Sequence, residues 1–293
     1  MAEATNLRQA NSRAFSEGLV AEKELTMGTD DQGRQQISGH ITIKTDDVNF
    51  VRYSVMAREK TNAGGSNPAY EGLVTVMNDY RSIADVGEEG ADRVRVNGQL
   101  APFTTQQGAD TMGYRASFFT RVTDNYDPHA EFEVELFIQA IVPETNTEGE
   151  ETGRMLVKGW MPTYNGIEPV ELVAEGEIAS QVESIFEPGQ TATFYGDIIN
   201  SRVTKVTEIP VAIGKPKQRR ETTYKNELVI TGATEPYDED AEVPSQKPYD
   251  KNAIKQAIQD RKDRLEERRN RAAAPQRANT RPQTRTSGRT MNW

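Results

Sequence analysis

The amino-acid sequence predicts a mainly β chain in which one small barrel-like unit is written twice, followed by a charged C-terminal segment that belongs to no core. Three observations predict this. Apolar residues in the body recur with period two, the pattern of half-buried antiparallel strands. The order of those segments, with a short helix at the same point, occurs a second time further along the chain. Beyond Gly232 the composition turns polar and charged.

Taken in order, GHITIK (39–44) places Ile41 and Ile43 on one face, and FVRYSVM (50–56) does the same with Val51, Tyr53 and Val55. RVRV (93–96) and YRASFFTRV (114–122) alternate in the same way. Between them, residues 70–83 space Leu73, Val76, Met77 and Tyr80 as an amphipathic helix would, after a Gly- and Asn-rich loop at 62–68. The second passage begins with a strand over 132–142, a polar loop at 144–151, GRMLVK (153–158) and a strand at 170–174. A helix over 178–186 ends before Pro188 and Gly189, and strands follow at 191–199 and 224–231. Local echoes keep the same order: GHITIK with GRMLVK, VRVNGQL (94–100) with TFYGDI (193–198), and YRASFFTRV with YKNELVITG (224–232).

Strands with a short helix between the third and fourth are the arrangement of a five-stranded OB-like barrel. A β-sandwich is the competing arrangement, but a helix at the same point of two successive units favours the barrel. The expected division is a first OB-like barrel at 15–127, a second at 128–234, an acidic linker at 235–250, a charged, solvated helix at 251–271 and a disordered Arg-rich tail at 272–293. The helix has Asp260–Arg264 and Glu267–Arg271 at the supportive i,i+4 spacing, yet its apolar residues are only Ile254, Ile258 and Leu265.

The 293 residues carry a formal net charge of −10, unevenly distributed. Residues 251–293 hold twelve Lys/Arg against four Asp/Glu, a surplus of eight, which leaves −18 on the rest. There is no cysteine, so disulfides, thiolate metal sites and cysteine nucleophiles are excluded. No apolar run approaches the ~20 residues of a membrane span, and the N-terminal residues are polar. The expectation is a cytoplasmic protein with no membrane partner. HExxH, P-loop, GxSxG and zinc spacings are missing, and the two histidines, His40 and His129, stand far apart. Asp30-Asp31, Asp46-Asp47 and Asp238-Glu239-Asp240 fall in turns or linker and read as solvated acids. No enzyme, cofactor or metal site is predicted.

The outward faces are more informative. With Ile41, Ile43, Val51, Val55, Val94, Val96, Phe118 and Val122 inward, alternation puts His40, Thr42, Lys44, Phe50, Arg52, Arg93, Arg95, Arg115, Phe119 and Arg121 outward. That face carries six cations and two aromatic rings with no carboxylate, on a body of charge −18. Cations neutralise phosphates and rings stack bases, which is what binding a nucleic-acid single strand requires. Two bland readings compete: each Arg pairs with a loop carboxylate, and the outward Phe side chains cover a neighbouring unit. In the second unit the face opposite Val170, Leu172, Ala192, Phe194, Leu228 and Ile230 is Glu171, Thr193, Tyr195, Asp197, Lys225 and Glu227, mixed to acidic. Trp160 and Tyr164, near Arg154 and Lys158, are its stacking candidates, and Trp160 also suits a packing role.

By element order over roughly 15–235, the chain resembles the single-stranded-DNA-binding proteins of bacteriophages and bacteria. The resemblance implies sequence-independent binding of single-stranded DNA in replication, recombination or repair, a phage origin, and replication or recombination proteins as partners. One departure is plain. The bacterial family ends in an acidic tip that recruits partners, whereas this chain ends in Arg289, Thr290, Met291, Asn292 and Trp293, so docking through the tip does not carry over. The alternative function is a structural or assembly protein, a virion or tail component built from repeated β-barrels.

Overall fold

The computed structural model describes residues 7–105, 107–209 and 217–273, with side chains described for all of these but 202–224, 244 and 272–273. In chain order the elements are β1 (Ser12–Thr29), β2 (Gln35–Lys44), β3 (Phe50–Arg58), α1 (Pro68–Asp79), α2 (Ile83–Val86), β4 (Arg93–Leu100), a small hairpin of β5 (Phe103–Thr104) and β6 (Asp110–Thr111), β7 (Tyr114–Arg121), β8 (His129–Thr145), β9 (Glu151–Thr163), β10 (Gly166–Ala174), α3 (Gly176–Ile185), β11 (Thr191–Ile209), β12 (Lys217–Ala233) and α4 (Lys251–Ala273).

The protein is mainly β and contains a closed five-stranded barrel. β1 pairs with β2, β2 with β3, β3 with β7 in parallel, β7 with β4, and β4 returns to β1. From β8 the same order of pairings recurs: β8 with β9, β9 with β10, β10 with β12 in parallel, β12 with β11, and β11 with β8. The two circuits are joined where Ser12–Glu17 of β1 lie antiparallel to His129–Val134 of β8. Ile41, Ile43, Val51, Val94 and Val96 are fully buried in the first circuit, as are Leu136, Ile138, Leu172, Phe194 and Ile198 in the second. These residues belong to one contiguous core cluster.

β1 was not among the strands expected from sequence. Its first half pairs with β4 on one edge and β8 on the other, and both of its faces are covered: Ala14, Phe15, Ser16 and Glu17 are all buried, so the stretch shows no alternation. The hidden polar atoms are satisfied. Ser16 Oγ and Tyr53 Oη lie 2.7 Å apart, and Glu17 accepts from Arg95 Nε at 2.5 Å and from the Asp127 N–H at 2.9 Å.

The repeated Gly of VRVNGQL and TFYGDI marks the same bulge in both circuits. A Cβ on Gly98 would stand 2.3 Å from the Arg115 carbonyl oxygen, and one on Gly196 would stand 1.9 Å from that of Val229. The ladder slips beside each glycine, between Asn97 and Gly98 and between Tyr195 and Gly196. A bulge inserts one residue and inverts the alternation beyond it.

The C-terminal segment departs from expectation. Residues 235–250 do not form a free linker: the Tyr237 N–H donates to Thr191 O at 2.8 Å, and the Tyr249 N–H donates to Thr191 Oγ1 at 3.0 Å. Two tyrosines anchor a stretch whose average composition is acidic and polar. The helix expected at 251–271 exists as α4, but its first three turns are docked rather than solvated, with Ile254, Ala257 and Arg261 buried. Ile254 and Ala257 pack with Ile167 and Tyr249, so a narrow stripe suffices for a one-sided contact. The expected disorder at 272–293 lies, from residue 274 on, outside the described residues. Among the described residues no helix is long and apolar enough to cross a membrane.

Arg8 joins the N-terminal segment to this cover. Its guanidinium pairs with the fully buried Glu135 on β8, donates to Lys247 O at 2.8 Å and lies 4.4 Å from the Tyr249 ring centroid. Removing one member of a buried pair strands its partner. Because Arg8 is partly exposed, Glu135→Ala should destabilise by about 3 kcal/mol, the low end for such pairs. A urea unfolding curve measures this, and an unchanged midpoint would mean the pair does not hold the termini down.

Candidate nucleic-acid interface

On a closed barrel the outward side chains point in all directions around the circumference, and the expected face separates accordingly. Arg52 and Arg115 come together with His40, because β2, β3 and β7 are adjacent. His40 lies opposite Ser54, and Ser54 is paired with Arg115. Lys44 and Arg93 instead border a hollow lined by Asp46, Asp47, Glu88 and Glu89. Lys44 pairs there with Glu88 at 2.8 Å and Asp47 at 3.2 Å, and Arg93 lies 4.7 Å from the Tyr126 ring centroid.

The carboxylate-free face is a further correction. β1 brings Glu17 beside Arg95 at 2.5 Å and Glu24 beside Arg52 at 2.5 Å. Burial acts to raise the Glu17 carboxyl, but hydrogen bonds from Arg95 and the Asp127 N–H hold it below the ordinary carboxylate range. These acids escaped notice because β1 did. Arg121 and Phe119 are displaced for a different reason. Asn97 faces Phe118 and Gly98 faces Ala116, so Ser117 is the extra residue and the register after it inverts. Phe118 is then 63% exposed, while Phe119 packs against the core. Arg121 lies opposite Val94, covers the Tyr80 ring at 4.4 Å and pairs with Asp92 at 3.1 Å. Phe50 is half-buried at the start of β3, next to Asn49, whose Nδ2 donates to Ile198 O of β11 at 3.0 Å. Trp160 is half-buried under α4, with Arg261 at 5.8 Å from its ring centroid, and does not line the cleft that opens between the two circuits.

The feature that remains is a cleft of about 820 Å³ between the two circuits. One side is the outer face of β2, β3 and β7, with His40, Arg52 and Arg115. A second wall is the hairpin between β4 and β7, carrying Phe103, which is 51% exposed. The third is the turn between β9 and β10, carrying Tyr164, which is 88% exposed. Asn200, at the base of the β11–β12 ribbon, closes one end. Among the described residues Arg115 has no carboxylate within ion-pair reach, and the Arg52–Glu24 pair is exposed on both sides, so it exchanges partners at little cost. The lining carboxylate, Glu168, is engaged by Arg261 at 3.0 Å. Cations and open aromatic faces therefore meet in one concavity. Sequence reading found Arg52, Arg115 and His40 by alternation and Tyr164 by residue type. It missed Phe103, which sits in a non-periodic loop with no signal of its own.

The turn between β1 and β2 is held by charge. Asp30 accepts from Arg34 Nε at 2.8 Å and from the backbone N–H groups of Gln32 and Arg34, and Arg58 Nε lies 3.1 Å away. Chiefly the Arg34 hydrogen bond lowers the Asp30 carboxyl from 3.8 to about 2.

A protein-family model described as YorF matches residues 11–271. No curated protein matches the chain. Among solved structures, the wild-type single-stranded DNA binding protein from Thermus aquaticus is similar at 12% identity and a TM-score of 0.48, covering 82% of this chain and 100% of that one. A deletion mutant of the same protein is similar at 12% identity and a TM-score of 0.46, over 80% and 98%.

The Asp30 pairing has a defined pH window. A depressed carboxyl contributes stability that is fully present above its unfolded value, 3.8, and is lost as pH falls through about 2. Carboxyl-carbon NMR should place the Asp30 midpoint near pH 2, and Arg34→Ala should return it towards 3.8. A midpoint near 3.8 in the unmodified protein would mean the turn is not held this way.

Proposed function

Because the YorF model spans most of its length, the chain belongs to the YorF family, and we propose that it binds single-stranded DNA without regard to base sequence. The observation that carries the proposal is the position and lining of the cleft. Strand pairing in the order first, second, third, fifth, fourth, with a helix after the third strand, is OB topology. OB barrels bind oligonucleotides on the face of strands two and three and on the adjoining loops. Here that face carries Arg52, Arg115 and His40, and the loop between the fourth and fifth strands brings Phe103. Phosphates would lie against the arginines and bases against Phe103 and Tyr164, a sequence-tolerant combination.

We read the second circuit as a second OB-like barrel whose own strand-two and strand-three face is occupied by α4. Among the described residues the first barrel's strand-two and strand-three face is then the open one, flanked by the second unit. The β11–β12 ribbon leaves from Asn200 at the end of the cleft. Over 201–209 and 217–225 its sequence holds six Lys/Arg and two Asp/Glu, in an otherwise acidic body. Replication, recombination or repair in the cytoplasm of a phage-infected cell is the setting such binding would serve.

Titration of a fluorescent oligo-dT at several salt concentrations tests the reading. Arg115→Ala should weaken binding and flatten the log–log salt slope by about 0.7, one single-strand phosphate contact. Tyr164→Ala should cost about 1–3 kcal/mol with the slope unchanged, the mark of a lost stack. Lys158→Ala, paired with Glu171 on the second circuit, should do neither. Folded Arg115 and Tyr164 variants that bind like the unmodified protein would remove the cleft as the site.

A further inference from the structure

The β5–β6 hairpin forms its own two-stranded sheet, separate from the main one, and yet it supplies a wall of the cleft. Its base is fixed by the Ala101 N–H to Gly113 O hydrogen bond at 2.8 Å and by Met112 packed against the core. Its outer part is held by α4. Arg261 donates from Nη2 to Thr104 Oγ1 at 2.8 Å and to Asp110 Oδ1 at 2.5 Å, one on each hairpin strand. The same guanidinium donates from Nε to Glu168 on β10 at 3.0 Å and lies over Trp160, with the side chain 9% exposed. One residue of α4 thus ties the first barrel's hairpin to the second circuit. One turn further, Arg264 donates to the carbonyl oxygen of Asn165, in the turn that presents Tyr164. Two arginines three positions apart therefore reach both walls that carry exposed aromatic rings.

The seat of α4 is narrow. Ile254 and Ala257 are its buried apolar residues, with Ile258 beside them, and beyond Arg261 the helix is largely exposed. The arginine contacts add to this narrow apolar seat. Arg261 is also unsuited to phosphate itself, because its donors face two carboxylates inside a near-closed pocket.

We infer that α4 is a clamp that sets the width of the cleft, with Arg261 and Arg264 as positioning residues for the Phe103 and Tyr164 walls. The consequence for DNA rests on the function proposed above, but the mechanical coupling does not. With the clamp intact, both rings are held at a fixed separation, and ordering them on binding costs little. With the clamp released, the hairpin and the turn move independently and affinity falls without loss of a phosphate contact.

The experiment uses the full chain and two readouts. Arg261→Ala should speed amide exchange at least tenfold at Thr105 and Gly108, whose N–H groups bond within the hairpin, and leave β2 and β3 protected. It should also weaken oligo-dT binding several-fold with the salt slope unchanged, in contrast to Arg115→Ala. Asp110→Asn weakens the clasp from the hairpin side while keeping an acceptor for the Thr104 hydroxyl, which bonds Asp110 across the hairpin at 2.7 Å, and should give the same pattern. This variant keeps the test intact should the Arg261 variant fold poorly. Unchanged exchange at Thr105 and Gly108 in either folded variant would overturn the clamp. A salt slope reduced by a full phosphate contact in Arg261→Ala would also overturn it, because Arg261 would then touch DNA directly. If the unmodified protein does not bind oligo-dT, the proposed function fails, while the exchange comparison still decides the coupling.

Discussion

The antiparallel pairing of the first halves of β1 and β8 is the constraint from which the rest of the architecture follows. Each of these strands opens one circuit, and each is long enough to serve a neighbour before turning to its own second strand. Backbone hydrogen bonds across Ser12–Glu17 and His129–Val134 make the two circuits parts of one ten-stranded sheet. A hinged pair of units could open and close a groove between them, but a shared ladder fixes their orientation. The β9–β10 turn is therefore held opposite the β2–β3 face, and the cleft is part of the frame. Asn49 adds a second tie, through its side chain to Ile198 and Asn200 of β11.

The same pairing determines the charge environment. β1 lays Glu17 and Glu24 next to Arg95 and Arg52, so an outer surface that looks cationic strand by strand is largely neutralised across strands. Where β1 does not reach, on the far side of β3, Arg115 has no carboxylate partner among the described residues. The location of free positive charge is thus a property of strand neighbours in space. It also explains how a chain of net charge −10 can present arginines free of strong pairing at one cleft: charge pairing acts over a few ångströms, within a Debye length.

The terminal segments have a different role in each circuit. Among the described residues nothing comparable covers the outer face of β2 and β3, whereas the equivalent face of β9 and β10 lies under α4 and the residues around Tyr249. Glu135, Thr191 and Thr193 are buried polar groups on that covered side, and their partners are Arg8, Tyr249 and Tyr237. The two circuits share a topology and differ in what lies on it. That difference leaves one face uncovered among the described residues and places α4, with its Arg261 contact to the hairpin, on the other.

Period-two alternation at Ile41–Ile43, Val51–Val55 and Val94–Val96 was sufficient to find the strands and their inward faces, because burial on one side of a pleated strand is a local property. The echo of VRVNGQL in TFYGDI likewise contained the duplicated bulge glycine, since a Cβ is excluded by the next strand wherever that topology occurs. Arg52, Arg115 and His40 were legible as outward for the same local reason, and Tyr164 only as an aromatic residue able to stack. β1 was not legible, because a strand buried on both faces loses alternation. The inversion at Ser117, which exchanged Phe118 for Phe119 and moved Arg121, was not legible either, because a bulge is specified by the partner strand as well as by the residue itself. The docking of α4 depended on two aromatic anchors and an arginine whose partners, Asp110 and Glu168, lie more than ninety residues away. The sequence by itself determined which segments become strands, where the unit repeats and which residues can carry charge or stack. Only the tertiary structure decided which charges stay unpaired and which rings share a cleft, because ion pairing and enclosure depend on distances between segments remote in the chain.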